Sequence, residues 1–228
     1  MSEANFDEIA AEYDESLPAH VVAHYLDKRV RFVADCVAVP GRGLDVGCGT
    51  GVLAARLAAL GWRMDGIDPS QGMLDVMARD APEVRGRRAF GDDLPYEGDR
   101  FDLVITVAAL HHVADPDAVR GTLVEMARVV RPGGRIVVWD HNPRNPYWKL
   151  LMARVPQDDG SERLIGEAEV LGGLRAGGAR VLSSDQLGFV PDFVPPRLLA
   201  ATAKAEAAVE RTPLLRRLCA HNVIVATK

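Results

Sequence analysis

The spacing of apolar and polar residues changes several times along this 228-residue chain, and each change marks an element. From position 42, short β-branched runs alternate with helical spacing. RGLDV (42–46) precedes a predicted helix near 51–60, MDGID (64–68) one near 70–79, and FDLVITV (101–107) one near 116–130. RPGG at 131–134 stops that last helix with a proline and two glycines, and RIVVWD (135–140) reads as the next buried strand. GRRAF (86–90) is a weaker strand. A helix near 163–177, a strand near Ala179 to Leu182 and a closing strand in HNVIVATK (221–228) continue the alternation. The strands read as apolar on both faces, as they must where helices cover a parallel sheet on each side. The expected fold is α/β, one doubly wound domain over 1–228.

Two segments fall outside this alternation. Residues 5–37 hold two amphipathic helical patterns, with Val21, Val22, Tyr25, Val30 and Val33 at roughly helical spacing. Residues 188–219 hold FVPDFVPP and then an alanine-rich helix near 197–210. Neither is long enough for a separate domain, so both are expected as caps over one end of the sheet: an N-terminal helical cap and an insertion before the last strand. HNPRNPYW after Asp140, and QDDGSE (157–162), read as loop or cap.

Composition narrows the classes. Lys and Arg number 27 against 32 Asp and Glu, a net charge of −5, which argues against a nucleic-acid binder that neutralises many phosphates. The amino end, MSEANFDEIAAEYDE, is acidic where an export signal is basic and then apolar. The longest apolar stretch, Leu103 to Leu110, is well short of the roughly 20 residues that span a bilayer, so no membrane insertion is expected. Cys36, Cys48 and Cys219 are odd in number and widely spaced, which indicates neither a disulfide framework nor a zinc site. The cytoplasm is the expected compartment.

The chemistry centres on LDVGCGTG (44–51). A buried strand ends at Val46 and a helix begins near Gly51, so Gly47, Gly49 and Gly51 form a turn where backbone approaches a ligand without Cβ interference. A dinucleotide fingerprint of the G-x-G-x-x-G type needs glycine at position 52, which is valine here. Asp45, at the strand's end, repels a pyrophosphate and attracts an ammonium group. Asp68 ends the second strand 17 residues after Gly51, where a carboxylate accepts both hydroxyl protons of a ribose. A nucleoside with a positively charged tail satisfies both.

These residues resemble the class I S-adenosylmethionine-dependent methyltransferases, in the branch of small-molecule enzymes. The resemblance rests on LDVGCGTG, GIDPSQGML (66–74), FDLVITVAALHHV (101–113) and RVVRPGG (128–134), in the expected order across about two-fifths of the chain. It implies S-adenosyl-L-methionine as cofactor and a Rossmann-like seven-stranded sheet of order 3-2-1-4-5-7-6 with the last strand antiparallel. It also implies that Asp45 and the turn glycines hold the methionine moiety, that Asp68 binds the ribose, and that Ser70, Gln71 and Met73 border ribose and adenine. Asp92 bonds the adenine amine in this reading. Because GDDLPY (91–96) is shorter than the family's usual spacing, Asp93 is its alternative. Val107 ends the strand facing the transferable methyl, and Tyr13 matches an aromatic that folds over the cofactor.

His111 and His112 follow a buried strand at its carboxyl end, the rim where such sheets place ligands. With the strand order above, Asp140 lies beside them, so a histidine and a carboxylate form a base and orienter pair, with His141 a rival base. His112, His111, His141 and Asp140 are thus the catalytic candidates. His20 and His24 share a helix face, but no further Cys or His cluster is nearby and no metal is expected. PLLRRLC, with Lys204, Arg211, Arg216 and Arg217 nearby, reads as an amphipathic helix or a stretch lying on a membrane surface. The expected activity is methyl transfer to a small or lipid-like acceptor. The alternatives are a nicotinamide-dependent oxidoreductase and a non-catalytic cofactor-binding module.

Overall fold

The computed structural model describes residues 6, 7, 9, 10, 18–151 and 162–228, with the side chains of 149–151 excepted. In chain order these are α1 (Ala19–Cys36), β1 (Arg42–Val46), α2 (Val52–Ala58), β2 (Arg63–Asp68), α3 (Gln71–Asp80), β3 (Arg85–Arg88), β4 (Phe101–Val107), α4 (Pro116–Val129), β5 (Val130–His141), α5 (Pro146–Leu151), α6 (Glu167–Ala176), β6 (Arg180–Leu187), α7 (Pro196–Arg211) and β7 (His221–Thr227). Single 3-10 turns stand at Leu110–His112 and Arg216–Leu218.

The strands form one sheet of order β3-β2-β1-β4-β5-β7-β6. β1 pairs in parallel with β2 and β4, as does β4 with β5, while β7 runs antiparallel to both β5 and β6. Side chains alternate across it with period two. Leu103, Ile105, Val137 and Trp139 face one side, where they meet Leu26, Val30 and Val33 of α1, Leu53 and Leu57 of α2, and Leu74 and Met77 of α3. Val104, Ile136 and Val138 face the other, against Val119, Leu123 and Met126 of α4 and Val170 and Leu174 of α6. Local chemistry fixes the helix starts. The Ser70 hydroxyl accepts the Met73 N–H at the start of α3, and the Asp115 carboxylate accepts the Asp117 N–H at the start of α4, with Pro116 as first helical residue.

Four expectations change. The 5–37 segment does not simply cap an end of the sheet: the carboxyl half of α1 covers its face, and the amino half meets the insertion through Val21, Val190 and Val194. β3 is an edge strand with all four residues, RGRR, exposed, so it has no apolar face, and its arginines discourage edge-to-edge pairing. β6 runs on to Leu187, past the short strand expected there, because β7 gives it a partner along its length. The helix expected from 163 starts at Glu167. Before it, the Arg163 N–H is tied to the carbonyl of His111.

Candidate active site

The chain runs outward from β1 through β2 to β3, then returns to build β4 and β5 on the other side of β1. Ligands of open α/β sheets bind at the carboxyl ends of the strands where the order reverses. A cavity of about 500 Å³ opens there, between β1 and β4, within the usual range for small-molecule sites of roughly 300–1,000 Å³. Val46, Gly47, Gly49, Asp68, Met73, Asp92, Thr106, Ala108 and His112 are among its lining residues.

Its floor is the glycine turn. Gly47, Gly49 and Gly51 all have positive φ, at 73°, 52° and 78°, which L side chains rarely adopt. A Cβ on Gly47 would lie 2.6 Å from that of Ala109, whereas one on Gly49 would meet no protein atom within 4 Å and would occupy ligand space. Ala108, just past β4, also has positive φ, 53°, a strained conformation at the opposite wall.

Asp68 serves both protein and cavity. One carboxylate oxygen accepts the Gly49 N–H and the other the Ser70 N–H, each at 2.9 Å. A carboxylate has about four acceptor positions, so room remains for two ligand hydroxyls. Burial raises its pKa, while the Ser70 and Gly49 N–H groups draw it back. Asp45 lies deeper. Burial, then the neighbouring Asp68, push it up to about 8 against the pull of Arg29, so without a ligand it is protonated at neutral pH. An ionised Asp45, the form read from the sequence, therefore needs a cationic ligand to sustain it.

Other candidates separate on geometry. Asp92 lines the cavity and Asp93 does not. Gln71 is exposed and donates to Asp75, away from the cavity. Ser70 is fully buried as the cap of α3 and bonds to Asp7, whose carboxylate also accepts the Gly72 N–H. Val107 turns toward the α1 face, leaving Ala108 at the cavity wall. Tyr13 lies outside the described residues. Phe6 was not singled out in the sequence, yet it lines the cavity and stands edge-on to His112, ring centres 5.0 Å apart.

Beyond the cavity the rim histidines form a cluster. His111 Nδ1 lies 2.7 Å from the Asp140 carboxylate, both residues buried, so it is His111 rather than His112 that pairs with Asp140. Burial would raise Asp140, but the His111 imidazole and the His141 N–H hold its carboxyl below the ordinary range. His141 stacks between His111 and Trp148, at 3.9 and 3.6 Å. Burial and the adjacent imidazoles push His141 far down, and burial with Arg29 takes His221 to about 3, so both stay neutral. His111, Asp140 and His141 offer ligand atoms within 4.8 Å of one another, a metal-like grouping, but the 2.7 Å His111–Asp140 contact is that of a hydrogen-bonded pair. His20 and His24 join the insertion instead, bonding the Val194 carbonyl and Glu206.

The sequence did not point to His221 or Arg29. His221 arrives because β7 pairs antiparallel with β5, setting it opposite His141. Arg29 arrives on α1, with its guanidinium carbon 5.8 Å from the Trp139 ring centre. Several polar atoms here and in the cavity are buried without a hydrogen-bond partner among the described residues: Thr106 Oγ1, Trp139 Nε1, His141 Nδ1 and His221 Nδ1. Such atoms suit a ligand that supplies the missing partners. Within the cavity itself, Thr106 Oγ1, the Asp68 carboxylate and the open side of Gly49 fit a polar nucleoside.

Residues 44–134 match a family described as methyltransferase domain. A demethylmenaquinone methyltransferase of Clavibacter sepedonicus is 37% identical over 139 residues, covering 59% of this chain and 56% of that protein. One of Renibacterium salmoninarum is 34% identical over 164 residues, covering 66% and 68%. The chain thus spans about half to two thirds of the length of these curated relatives. A solved S-adenosylmethionine-dependent methyltransferase from Thermotoga maritima shares the fold with a TM-score of 0.69 at 21% identity, covering 99% of this chain and 98% of that one. The chain belongs to the class I S-adenosylmethionine-dependent methyltransferases.

Proposed function

We propose that this protein methylates an oxygen or an acidic carbon of a small, lipid-like acceptor. The observation that carries the reading is the continuity of the site: His112 lines the cavity, and the next residue, His111, holds Asp140 at 2.7 Å. Bound S-adenosylmethionine supplies an electrophilic methyl group on a sulfonium sulfur. Asp68 takes the ribose hydroxyls in this reading, Asp92 the adenine amine, and Asp45 with the turn of Gly47, Gly49 and Gly51 the methionine end. Met73 packs beside the nucleoside.

Methyl transfer in line demands alignment and exclusion of water more than bond-making by the protein. An acceptor hydroxyl or acidic carbon must also lose a proton. Asp140, held below the ordinary carboxyl range, acts as acceptor, so His111 carries its hydrogen on Nδ1 and presents Nε2 as the base. The buried carboxylate then stabilises the imidazolium that forms. His141 and Trp148 keep that ring in plane by stacking. The lipid-like class is supported by the relatives named demethylmenaquinone methyltransferase and by the aromatic surroundings of the cluster.

The test is turnover. The protein is incubated with methyl-labelled S-adenosylmethionine and, separately, a demethylated naphthoquinol, a simple catechol and a primary amine. Labelled product from the quinol or catechol is the expected result. Transfer to the amine alone, unaffected by His111→Ala, would contradict the proposed base.

A further inference from the structure

We infer that the insertion 188–219 is a docking surface for an anionic lipid bilayer. The inference takes its purpose from the lipid-like acceptor proposed above, but its evidence is separate.

The first observation is how α7 is held. It has 16 residues, and Glu206 is its sole buried one. Glu206 accepts from Lys28 at 2.7 Å, from the Phe189 N–H at 2.7 Å and from the Val190 N–H at 3.2 Å, and lies 2.9 Å from His24 Nε2. Glu210 turns the same way, bonding Lys28 and the Gly188 N–H. The helix is thus fastened by a polar latch, with Leu199 alone of its leucines packed on the Val21, Val190 and Val194 cluster and Leu198 left exposed.

The second observation is the set of exposed apolar residues on either side of α7. Phe193 is 73% exposed, Leu214 72%, Leu218 49% and Leu215 46%. The chain around α5 ties two of them together: Tyr147 packs on Phe193 with ring centres 6.3 Å apart, and Asn145 donates to the Leu218 carbonyl, while Leu214 and Leu215 precede Leu218 in sequence. Trp148, next in sequence to Tyr147, stacks on His141, so Phe193 adjoins the histidine cluster through α5.

The third observation is charge, and it selects the occupant. The segment has five basic residues and three acidic ones in a chain of net charge −5. All three acids point inward, since Asp192 accepts from the Tyr147 hydroxyl and the two glutamates hold Lys28. Arg216 pairs with Asp185. Arg197, Lys204, Arg211 and Arg217 are exposed, with no ion-pair partner among the described residues. Outward positive charge around exposed leucine and phenylalanine is the pattern of an interfacial segment on anionic lipid. No helix among the described residues is long and apolar enough to cross a membrane, so contact is at the surface. A second copy of this chain would set like charges against each other.

Flotation of the full chain with vesicles tests this without any methyl acceptor. Binding to phosphatidylcholine vesicles with about 30% phosphatidylglycerol should exceed binding to pure phosphatidylcholine at least tenfold, and should fall several-fold as salt is raised from about 0.1 to 0.5 M. Leu214→Asp with Leu215→Asp should abolish most of it, and Arg211→Gln with Arg217→Gln should remove the preference for anionic lipid. Unchanged affinity for S-adenosylhomocysteine certifies the fold of each variant. Equal flotation with neutral and anionic vesicles, no flotation with either, or variants that bind like the parent would overturn the inference. So would a dimer, seen by ultracentrifugation without lipid, that the leucine substitutions dissolve. Turnover on soluble quinol without vesicle binding would reject the docking surface and leave the proposed activity standing.

Discussion

The proposed cofactor half and the proposed acceptor half of the site are built in opposite ways. Around Gly47, Gly49 and Asp68 the backbone makes the site: positive-φ glycines and two N–H groups locked to one carboxylate, all within a stretch of 24 residues, 47–70. Around His111 the side chains make it, from the 3-10 turn after β4 and from β5, β7, α1 and α5, segments up to 196 residues apart between Tyr25 and His221. A backbone-made site is written in a short motif and binds what many acceptor sites share. A side-chain-made site can be replaced piece by piece, so it is where one family member differs from another.

The largest effect that would sharpen this contrast is on turnover. His111→Ala should lower kcat by roughly 10²–10⁴ while cofactor affinity stays within a few-fold, because proton removal assists the transition state alone. Asp140→Asn should reproduce part of that loss by freeing the ring's tautomer. Equal losses in kcat and cofactor affinity would erase the division between the halves.

Next is Asp68→Ala. It would remove the two proposed ribose contacts and untie the Gly49 and Ser70 amides, so cofactor affinity should fall roughly 30- to 1,000-fold, about 2–4 kcal/mol. Unchanged affinity in a folded variant, read by calorimetry, would remove Asp68 from the site.

A smaller effect follows from Asp45. The unliganded chain holds its proton up to about pH 8, whereas an ammonium group binds the ionised form. Cofactor affinity should therefore rise by up to about tenfold per pH unit from roughly 6 to 8, then level. Its raised pKa also means the folded state retains a proton the unfolded chain has released. Stability from this group thus declines as pH rises between the unfolded value and about 8. Asp45→Asn should flatten both dependences. An affinity independent of pH in the parent protein would place the cofactor's amine elsewhere.

The smallest effect concerns Asp7, which reaches from the amino-terminal segment to Ser70 and Gly72 beside the cavity. Asp7→Ala should weaken cofactor binding only a few-fold. Amide exchange near Phe6 should slow when S-adenosylhomocysteine binds, and equal exchange in both states would deny this segment a covering role.

The same contrast explains what the sequence disclosed. The sheet was legible because the middles of β1, β4 and β5 are buried on both faces and therefore rich in apolar and β-branched residues, and the glycine turn because its φ values admit little else. α1 was misread as an end cap, since an amphipathic pattern records that a face is buried but not against what. Gln71 follows the capping serine at the right offset, yet helical rotation carries it outward to Asp75. His111 and His112 were indistinguishable by neighbourhood alone; the 3-10 turn at Leu110–His112 decides which ring meets Asp140 and which meets the cavity. His221 and Arg29 gave no signal because each joins the site only through tertiary packing.

The turn between β1 and α2, with Asp68, is the proposed site for S-adenosylmethionine. Calorimetric titration of the parent protein and of Asp68→Ala with S-adenosylhomocysteine, and of the parent with NADH, tests it most directly. The account predicts one-site binding of S-adenosylhomocysteine to the parent, weakened at least 30-fold in the variant, and no heat from NADH. Binding of NADH in place of S-adenosylhomocysteine, or equal affinity in the parent and a folded Asp68→Ala protein, would contradict it.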